Sequence, residues 1–277
     1  MYQLRQTGMT RRVGGPSYGR QDLGYSPGGA LDSFAMATGN LLLGQAVDQE
    51  CLEIVMLPPV VVFTAAAMLV LTGAAREATI TGPKGQRTVP HATVCLAAAG
   101  EQLSFGPALY GFRSYLCLRA DLVPERVGRS RGAFHEIATW PDAQRRLRVL
   151  RGPEHALLAH PEHFCQETWI VSPQSGATGM RLLGPPLAGE SPRMISQPVA
   201  DGTIQLTPSG PIVLLRQRPT IGGYPRIFNL ISADLDLLAQ YGPGQCLHFT
   251  EVDPAAARQL AQQRAADLAK FATTCAG

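Results

Sequence analysis

The sequence of 277 residues carries 24 basic against 21 acidic residues, and its net charge of +3 is too small to favour nucleic acid as a partner. The composition, 45% hydrophobic and 16% charged residues, excludes a disordered chain. The length is sufficient for one large domain or two domains of ordinary size. The six cysteines are scattered without a Cys-x-x-Cys pair, which is typical of thiols in a reducing cytoplasm and not of a secreted disulfide framework.

The first predicted element is a helix over Phe34–Leu43, with Asp32 as its N-cap and Gly44 at its end. Short runs rich in Val, Ile, Leu and Thr follow, and most of them are closed by Gly or Pro turns, as strands are. A second helix is predicted over Ala233–Tyr241, and a third one opens after Asp253. The predicted strands are Leu52–Met56, Val60–Phe63, Met68–Leu71, Ala78–Thr81, Ser114–Leu118, Leu147–Leu150, Thr168–Val171, Ile204–Thr207, Ile212–Leu215 and Cys246–Thr250.

Strands dominate this pattern and helices do not alternate with them, which indicates a mainly β fold with a few short helices and a C-terminal helix. The stretch between Asp121 and Arg151 is rich in arginine, contains Pro and Gly, and lacks a convincing strand, so we predict a domain boundary there. The interpretation is two mainly β domains, at residues 1–145 and 146–277.

The most apolar stretch, Val60–Ala75, is 16 residues long, which is short for crossing a bilayer, so it is interpreted as a pair of buried strands. The opening residues, MYQLRQTGMTRR, lack the apolar core of a signal peptide. We therefore expect a cytoplasmic protein with no membrane partner.

One short motif matches a hydrolase pattern by its letters. Gly15-Pro-Ser17-Tyr-Gly19 has the form Gly-x-Ser-x-Gly, in which the serine of a nucleophile elbow lies between a buried strand and a helix. A polar segment precedes the motif here and another polar turn follows it, so we predict a flexible loop.

Several histidines lie close together in the second half of the chain, near a glutamate and a cysteine. Their spacing is loose, and an intervening proline would break any helix that could align them, so we predict no metal site. The residues concerned are His155, His160, Pro161, Glu162, His163 and Cys165.

Three other segments are rich in hydrogen-bond donors. Ser172–Arg181 combines small hydroxyls, an amide and a guanidinium in a turn-rich stretch, and Gly202–Gln205 places polar side chains among apolar ones on a strand. Arg218–Pro225 contains a glycine loop whose backbone N–H groups can approach an anion. Together they predict a site for a carboxylate or another oxyanion, although none supplies an obvious general base.

These segments belong to an ordered series of short motifs that runs from about Gly8 to Val252. The motifs include Gly29-Ala-Leu-Asp32, Asn40-Leu-Leu-Leu-Gly44, Leu52-Glu53-Ile54, Leu71-Thr72-Gly73-Ala74, Arg113-Ser114-Tyr115-Leu116, Leu147-Arg-Val-Leu150, Ser172-Pro-Gln-Ser175, Gly202-Thr-Ile-Gln205, Pro211-Ile-Val-Leu-Leu215, Gly222-Gly-Tyr-Pro225 and Ile231-Ser-Ala-Asp234. The series resembles the carboxyltransferase A/B-domain family. That family includes the C-type subunit of bacterial 5-oxoprolinase, the carboxyltransferase part of urea carboxylase (also called allophanate hydrolase subunit 2) and the KipA protein.

The resemblance implies two cyclophilin-like β-barrel domains with an active site in the cleft between them. It also implies a heteromeric enzyme in which this chain works with a B-type subunit and, for a carboxyltransferase, with a biotin carboxylase or carrier. Such enzymes transfer a carboxyl group from carboxybiotin to a substrate nitrogen, or open the lactam of 5-oxoproline with ATP. Carboxybiotin or ATP would then come through the partner subunits, and this chain would bind no cofactor tightly.

The resemblance also assigns site residues, because both reactions develop charge on the oxygen of a urea- or amide-like group. The catalytic donors expected on this basis are Gln174, Ser175 and Gln205. The expected substrate-binding residues are Ser172, Arg181, Thr220, Gly222, Gly223 and Tyr224.

The sequence departs from the family pattern at several polar positions. Where the family has Val-Gln-Asp the chain has Arg12-Val13-Gly14, and Ala177-Thr178 replaces an Arg-Met pair. The segment Arg119–Trp140 is a shortened version of a longer family loop. These losses leave an alternative function open: a catalytically degenerate, KipA-like subunit that antagonises or scaffolds a partner protein.

Overall fold

The computed structural model describes residues 1–129, 145–189 and 194–276. The chain divides into two compact units. Unit 1 comprises the described parts of Met1–Gly15, Asp32–Trp140 and Ala266–Gly277, and unit 2 those of Pro16–Leu31 and Pro141–Ala265. About half of the predicted boundary region and of the shortened loop lies outside the described residues, and the division at residue 145 stays a prediction.

Unit 1 is built on an eight-stranded antiparallel sheet. The order β1-β4-β8-β3-β2 forms one path, and β5 pairs with β6, β7 and β8. Its core is aliphatic, with fully buried side chains such as Ile54, Val61 and Leu71. The strands are β1 (Tyr2–Gln6), β2 (Thr10–Val13), β3 (Cys51–Val55), β4 (Val60–Phe63), β5 (Ala67–Gly82), β6 (Gly85–Thr88), β7 (Cys95–Ala97) and β8 (Gln102–Arg119).

Two long strands dominate this sheet. The predicted strands Met68–Leu71 and Ala78–Thr81 are in fact one continuous strand, β5, and the predicted strand Ser114–Leu118 is only the end of β8. The register between β5 and β8 shifts after Gly73, which has φ +73°. A bulge of this kind bends a strand without ending it, so a glycine that suggests a turn in the sequence lies inside an unbroken strand.

Helix α1 (Ser33–Leu42) packs on β5 and β8 and confirms the first predicted helix. The carboxylate of Asp32 accepts a hydrogen bond from the backbone N–H of Ala35 at 2.8 Å, as an N-cap does. Gly44 follows the helix with φ +69°. The helix is buried almost all round, and Gly39 lets it approach Thr72 of β5 closely.

Unit 2 contains a second eight-stranded sheet, in the order β17-β10-β11-β14-β13-β16-β9-β18, and a separate pair formed by β12 and β15. Its core includes the aromatic rings of Phe164, Trp169, Phe228 and Phe249, which pack against one another with centroids about 5 Å apart. The strands are β9 (Leu147–Arg151), β10 (Trp169–Val171), β11 (Gly179–Leu183), β12 (Gln197–Pro198), β13 (Thr203–Thr207), β14 (Gly210–Leu214), β15 (Ile221–Gly222), β16 (Arg226–Leu230), β17 (Cys246–Leu247) and β18 (Phe249–Glu251).

The last two strands bring the edges of this sheet together. The single strand predicted over Cys246–Thr250 is wrong, because β17 pairs with β10 at one edge and β18 pairs in parallel with β9 at the other. Only His248 separates β17 from β18, so the sheet is nearly closed into a barrel, whereas the sheet of unit 1 is a curled half-barrel.

The helices of unit 2 are short. Helix α2 (Glu162–Gln166) was not predicted, and α3 (Leu235–Leu238) is shorter than the predicted helix because a 3-10 turn over Ser232–Asp234 replaces its beginning. Helix α4 (Pro254–Ala276) confirms the C-terminal helix, and Asp253 accepts hydrogen bonds from two backbone N–H groups of its first turn.

The architecture is mainly β, with a half-barrel sheet, a nearly closed barrel and a C-terminal helix, as predicted. In the described part of the chain, no helix combines the length and the apolar character needed to cross a bilayer.

Candidate functional site

The first group of predicted site residues lies on the loop between β10 and β11 and at the start of β11. It consists of Ser172, Gln174, Ser175 and Arg181. The hydroxyl of Ser172 accepts a hydrogen bond from the backbone N–H of Gln174 at 3.1 Å, and the hydroxyl of Ser175 accepts one from that of Arg181 at 3.0 Å. Both hydroxyls therefore shape the loop. The side-chain amide of Gln174 is exposed, and it makes no hydrogen bond to the part of the chain that the structure describes.

Arg181 and Gln205 lie on one face of the barrel wall. Both pair with Ile212 of β14, which lies between their strands, and residues directly opposite one another on adjacent strands project to the same side. Their strand neighbours, among them Met180 and Leu206, are core residues, so this row faces away from the barrel interior. The two backbones are about 10 Å apart, since two strand spacings separate them.

Gln205 is covered by the glycine loop and is only 5% exposed. Its side-chain amide donates a hydrogen bond to the backbone carbonyl of Tyr224 at 3.1 Å. A Cβ atom on Gly222 would lie 2.5 Å from the same amide nitrogen, so any side chain there would displace the amide of Gln205. Neither Gly222 nor Gly223 has a positive φ. The structure thus brings Gln205 and the glycine loop together as a second group.

The remaining predicted contacts flank this second group. Thr220 is half-buried, and its carbonyl accepts a hydrogen bond from the backbone N–H of Val199 at 3.1 Å. The side chain of Tyr224 is 46% exposed and is free to meet another molecule. The assignment of catalytic and substrate-binding roles to all these residues stays a prediction.

Sequence reasoning missed an ion pair beside Gln205. Arg226 of β16 pairs with Gln205 across the sheet, and its guanidinium contacts both carboxylate oxygens of Glu154, at 2.7 and 2.9 Å. It also donates to the side chain of Gln197 and the carbonyl of Pro198, which fixes β12 against the glycine loop. The guanidinium lowers the pKa of the Glu154 carboxyl below its usual range. The sequence feature that could have indicated this residue is its position, because Arg226 follows the Gly-Gly-Tyr-Pro motif directly.

The arginine at the start of the glycine loop is not available to a ligand. Arg218 is 5% exposed, and its Nε donates to a carboxylate oxygen of Asp201 at 2.8 Å. The hydroxyl of Tyr18 donates to the other oxygen of Asp201 at 2.8 Å. Burial, and then this hydrogen bond, raise the pKa of Tyr18. The Gly-x-Ser-x-Gly segment is a loop, as predicted, and Tyr18 anchors the part of it that follows Gly15 within unit 2.

A cavity of about 410 Å³ opens beside the first group, and its wall is formed largely by the prolines and leucines around β11, β13 and β14. Arg181 donates a hydrogen bond to Ser209, one of its lining residues, at 3.2 Å. None of the nine predicted site residues lines this cavity.

The chain is similar to known proteins over most of its length. Residues 23–139 and 133–251 match the family described as carboxyltransferase domain, subdomain A and B. The chain is 30% identical to the C-type subunit of 5-oxoprolinase from Escherichia coli (strain K12), over 91% of each protein. It is 25% identical to a putative urea carboxylase of Emericella nidulans, over 85% of this chain and 22% of that protein.

A solved structure shows the same fold. The crystal structure of the K. lactis urea amidolyase superposes on 98% of this chain with a TM-score of 0.84 and 19% identity, and the chain spans 20% of that protein. The match to the family extends over most of the residues and includes both units. The chain therefore belongs to the carboxyltransferase domain family, subdomain A and B.

Proposed function

We propose that this chain is a subunit of an ATP-dependent amidohydrolase complex that opens the lactam of 5-oxoproline. The observation that carries the proposal is the 30% identity to a protein named as the C-type subunit of 5-oxoprolinase, which extends over 91% of both chains. The word subunit in that name supports a heteromeric assembly. The partner we propose is a B-type subunit, and ATP would be bound outside this chain, in a cytoplasmic complex.

The chemistry of lactam opening supports a role for the first group of residues. Attack at the lactam carbonyl places negative charge on its oxygen, and donors fixed near that oxygen lower the barrier. The exposed amide of Gln174 is a donor that no described residue occupies. Arg181 uses one N–H for Ser209, which leaves others for the carboxylate of 5-oxoproline.

A second candidate is a non-catalytic subunit that binds and regulates a partner. One observation favours it: the amide of Gln205 and the hydroxyl of Ser175 are both used in hydrogen bonds within the chain. Groups engaged in this way hold the loops in place and are less available to stabilise a transition state.

The test is an assay of the assembled complex. The tagged chain is purified from its native cells with its partners, and ATP hydrolysis is measured with and without 5-oxoproline. We expect 5-oxoproline to stimulate ATP hydrolysis. Carboxylation of urea that depends on a biotinylated partner would instead support a carboxyltransferase, and a partner without any turnover would support the regulatory subunit.

A point variant tests the site in the same assay. Gln174→Ala removes one donor, and we expect kcat to fall about a hundredfold or more, as it does when one oxyanion donor is lost elsewhere. The matched control is Gln86→Ala, which removes an exposed glutamine from β6 of unit 1 and should leave kcat unchanged. Equal kinetics for the two variants would remove Gln174 from the site.

A further inference from the structure

The turn that leads into α2 brings three side chains of the types that can bind a metal together on the surface of unit 2. His160, Glu162 and His163 each offer one ligand atom, and the three atoms lie within 4.8 Å of one another. Pro161 does not disrupt this arrangement, because it occupies the N-cap position of α2 with φ −63°. The backbone N–H of His163 donates to the carbonyl of His160 at 3.1 Å, which closes the turn.

The distances within the cluster suit a small divalent cation. An Oε1 atom of Glu162 lies 3.4 Å from Nδ1 of His160 and 4.0 Å from Nε2 of His163. Bonds of about 2.0–2.2 Å in tetrahedral zinc geometry place neighbouring ligand atoms about 3.3–3.5 Å apart. One pair is therefore already at the required separation, and the other atoms need to move by about 1.5 Å or less.

The surroundings allow this adjustment. All three side chains are exposed, with 51% to 60% of each accessible, so small rotations meet little packing resistance. The two imidazole rings are stacked, with centroids 5.0 Å apart and an interplanar angle of 23°. Two imidazoles and a carboxylate favour zinc and its transition-metal neighbours over magnesium or calcium, which prefer oxygen ligands alone.

We propose that His160, Glu162 and His163 form a three-ligand site for Zn²⁺ or a related divalent transition metal. Three protein ligands leave a fourth tetrahedral position, and the exposure of the cluster makes that position open to water. None of the residues assigned to the carboxylate or oxyanion site takes part. The competing arrangement is a surface cluster in which the two imidazoles and the Glu162 carboxylate contact one another without metal.

The test uses untagged protein that has been stripped of metal with a chelator. Titration with ZnCl₂ at neutral pH should show one saturable equivalent. His160→Ala and His163→Ala should each weaken binding about tenfold or more, because a direct ligand contributes at least as much as the outer-shell partners of a metal site. Cys246→Ser, which removes an exposed thiol on β17, is the matched control and should leave the affinity unchanged.

A spectroscopic measurement separates the site from adventitious binding. Co²⁺ in place of Zn²⁺ should give the intense visible absorption of tetrahedral coordination in the parent protein and in Cys246→Ser, and much weaker absorption in His163→Ala. The absence of a saturable equivalent would overturn the proposal. So would binding that survives both histidine substitutions or that disappears with Cys246.

Discussion

At the scale of single residues, a buried carboxylate organises unit 1. Glu53 is 1% exposed, and one of its oxygens accepts a hydrogen bond from Nε of Arg11 at 2.8 Å while the other accepts one from the hydroxyl of Tyr115 at 2.8 Å. The hydroxyl of Tyr115 in turn accepts a hydrogen bond from the backbone N–H of Asp32 at 2.8 Å. The network therefore connects three strands of the sheet, β2, β3 and β8, to the N-cap of α1. Burial, and then the charge of Glu53, raise the pKa of Tyr115 well above its usual range.

Removal of this carboxylate should be strongly destabilising. Glu53→Ala leaves the guanidinium of Arg113 buried beside an empty space and takes away the acceptor of Tyr115, so we expect the free energy of unfolding to fall by about 3–5 kcal/mol. Urea denaturation of the purified chain measures the loss. The matched control is Glu50→Ala, which breaks an exposed pair with Arg12 and should cost at most about 1 kcal/mol. Similar losses for both variants would contradict this account.

At the same scale, the sequence shows which side chains can donate hydrogen bonds, but it does not show which of those donors are already bonded within the fold. Gln174 and Gln205 are both amides in motif segments, yet one is exposed and the other is buried against the carbonyl of Tyr224. Arg181 and Arg218 differ in the same way, because only Arg218 is paired with a buried carboxylate. Burial depends on partners that are distant in sequence. The sequence therefore identified these residues as candidate donors, but it did not show which of them stay exposed.

At the scale of elements, the bulge of β5 determines how the sheet of unit 1 bends. A Cβ atom on Gly73 would lie 2.4 Å from the carbonyl oxygen of Arg113, and its φ of +73° is unfavourable for any other residue. We therefore expect Gly73→Ala to lower the free energy of unfolding by at least about 2 kcal/mol. Urea denaturation measures this change.

The control for this prediction lies on β8. Gly106→Ala adds the same methyl group where the nearest atom, in Glu77, is 3.4 Å away and φ is not positive, so the change should stay within about 1 kcal/mol. A loss at Gly73 no larger than the loss at Gly106 would mean that the bulge tolerates a side chain.

The same elements show why strand positions were predicted more reliably than strand lengths. The apolar runs marked the buried parts of β3, β4, β13 and β14 correctly. The first half of β8 is mostly half-buried, with Tyr110 63% exposed, so it has no such apolar run and was missed. The two halves of Cys246–Thr250 were joined because nothing local shows that they pair with different edges.

At the scale of the whole molecule, ion pairs in both units make the free energy of unfolding depend on pH in the acidic range. Arg87 is the main cause that lowers the pKa of Glu101 to about 2, from an ordinary value of 4.5, and Arg226 likewise lowers the pKa of Glu154. A folded-state pKa below the unfolded value means that the stabilisation is complete above about pH 4.5 and is lost as the pH falls towards 2.

We therefore expect the urea concentration at the midpoint of unfolding to decrease as the pH is lowered from 4.5 to 2. Glu101→Gln should be less stable than the parent at pH 6, and the difference should shrink as the pH falls through this range, because the parent also loses the charge. Glu50→Ala, which alters only an exposed pair, should keep the parent's pH dependence. A difference for Glu101→Gln that stays constant with pH would show that the ion pair does not stabilise the fold.

The sequence by itself determined the mainly β class, the capped helix α1, the C-terminal helix and membership of the carboxyltransferase family, because these depend on local periodicity, capping chemistry and ordered motifs. Only the tertiary structure decided which strands pair, how the sheet of unit 2 nearly closes, which donors are already bonded, and that His160, Glu162 and His163 meet at one turn. Strand pairing and burial depend on contacts between residues that are distant in sequence, and a linear pattern does not contain them. The cluster depends instead on the local turn at Pro161, where the sequence alone predicted a broken helix.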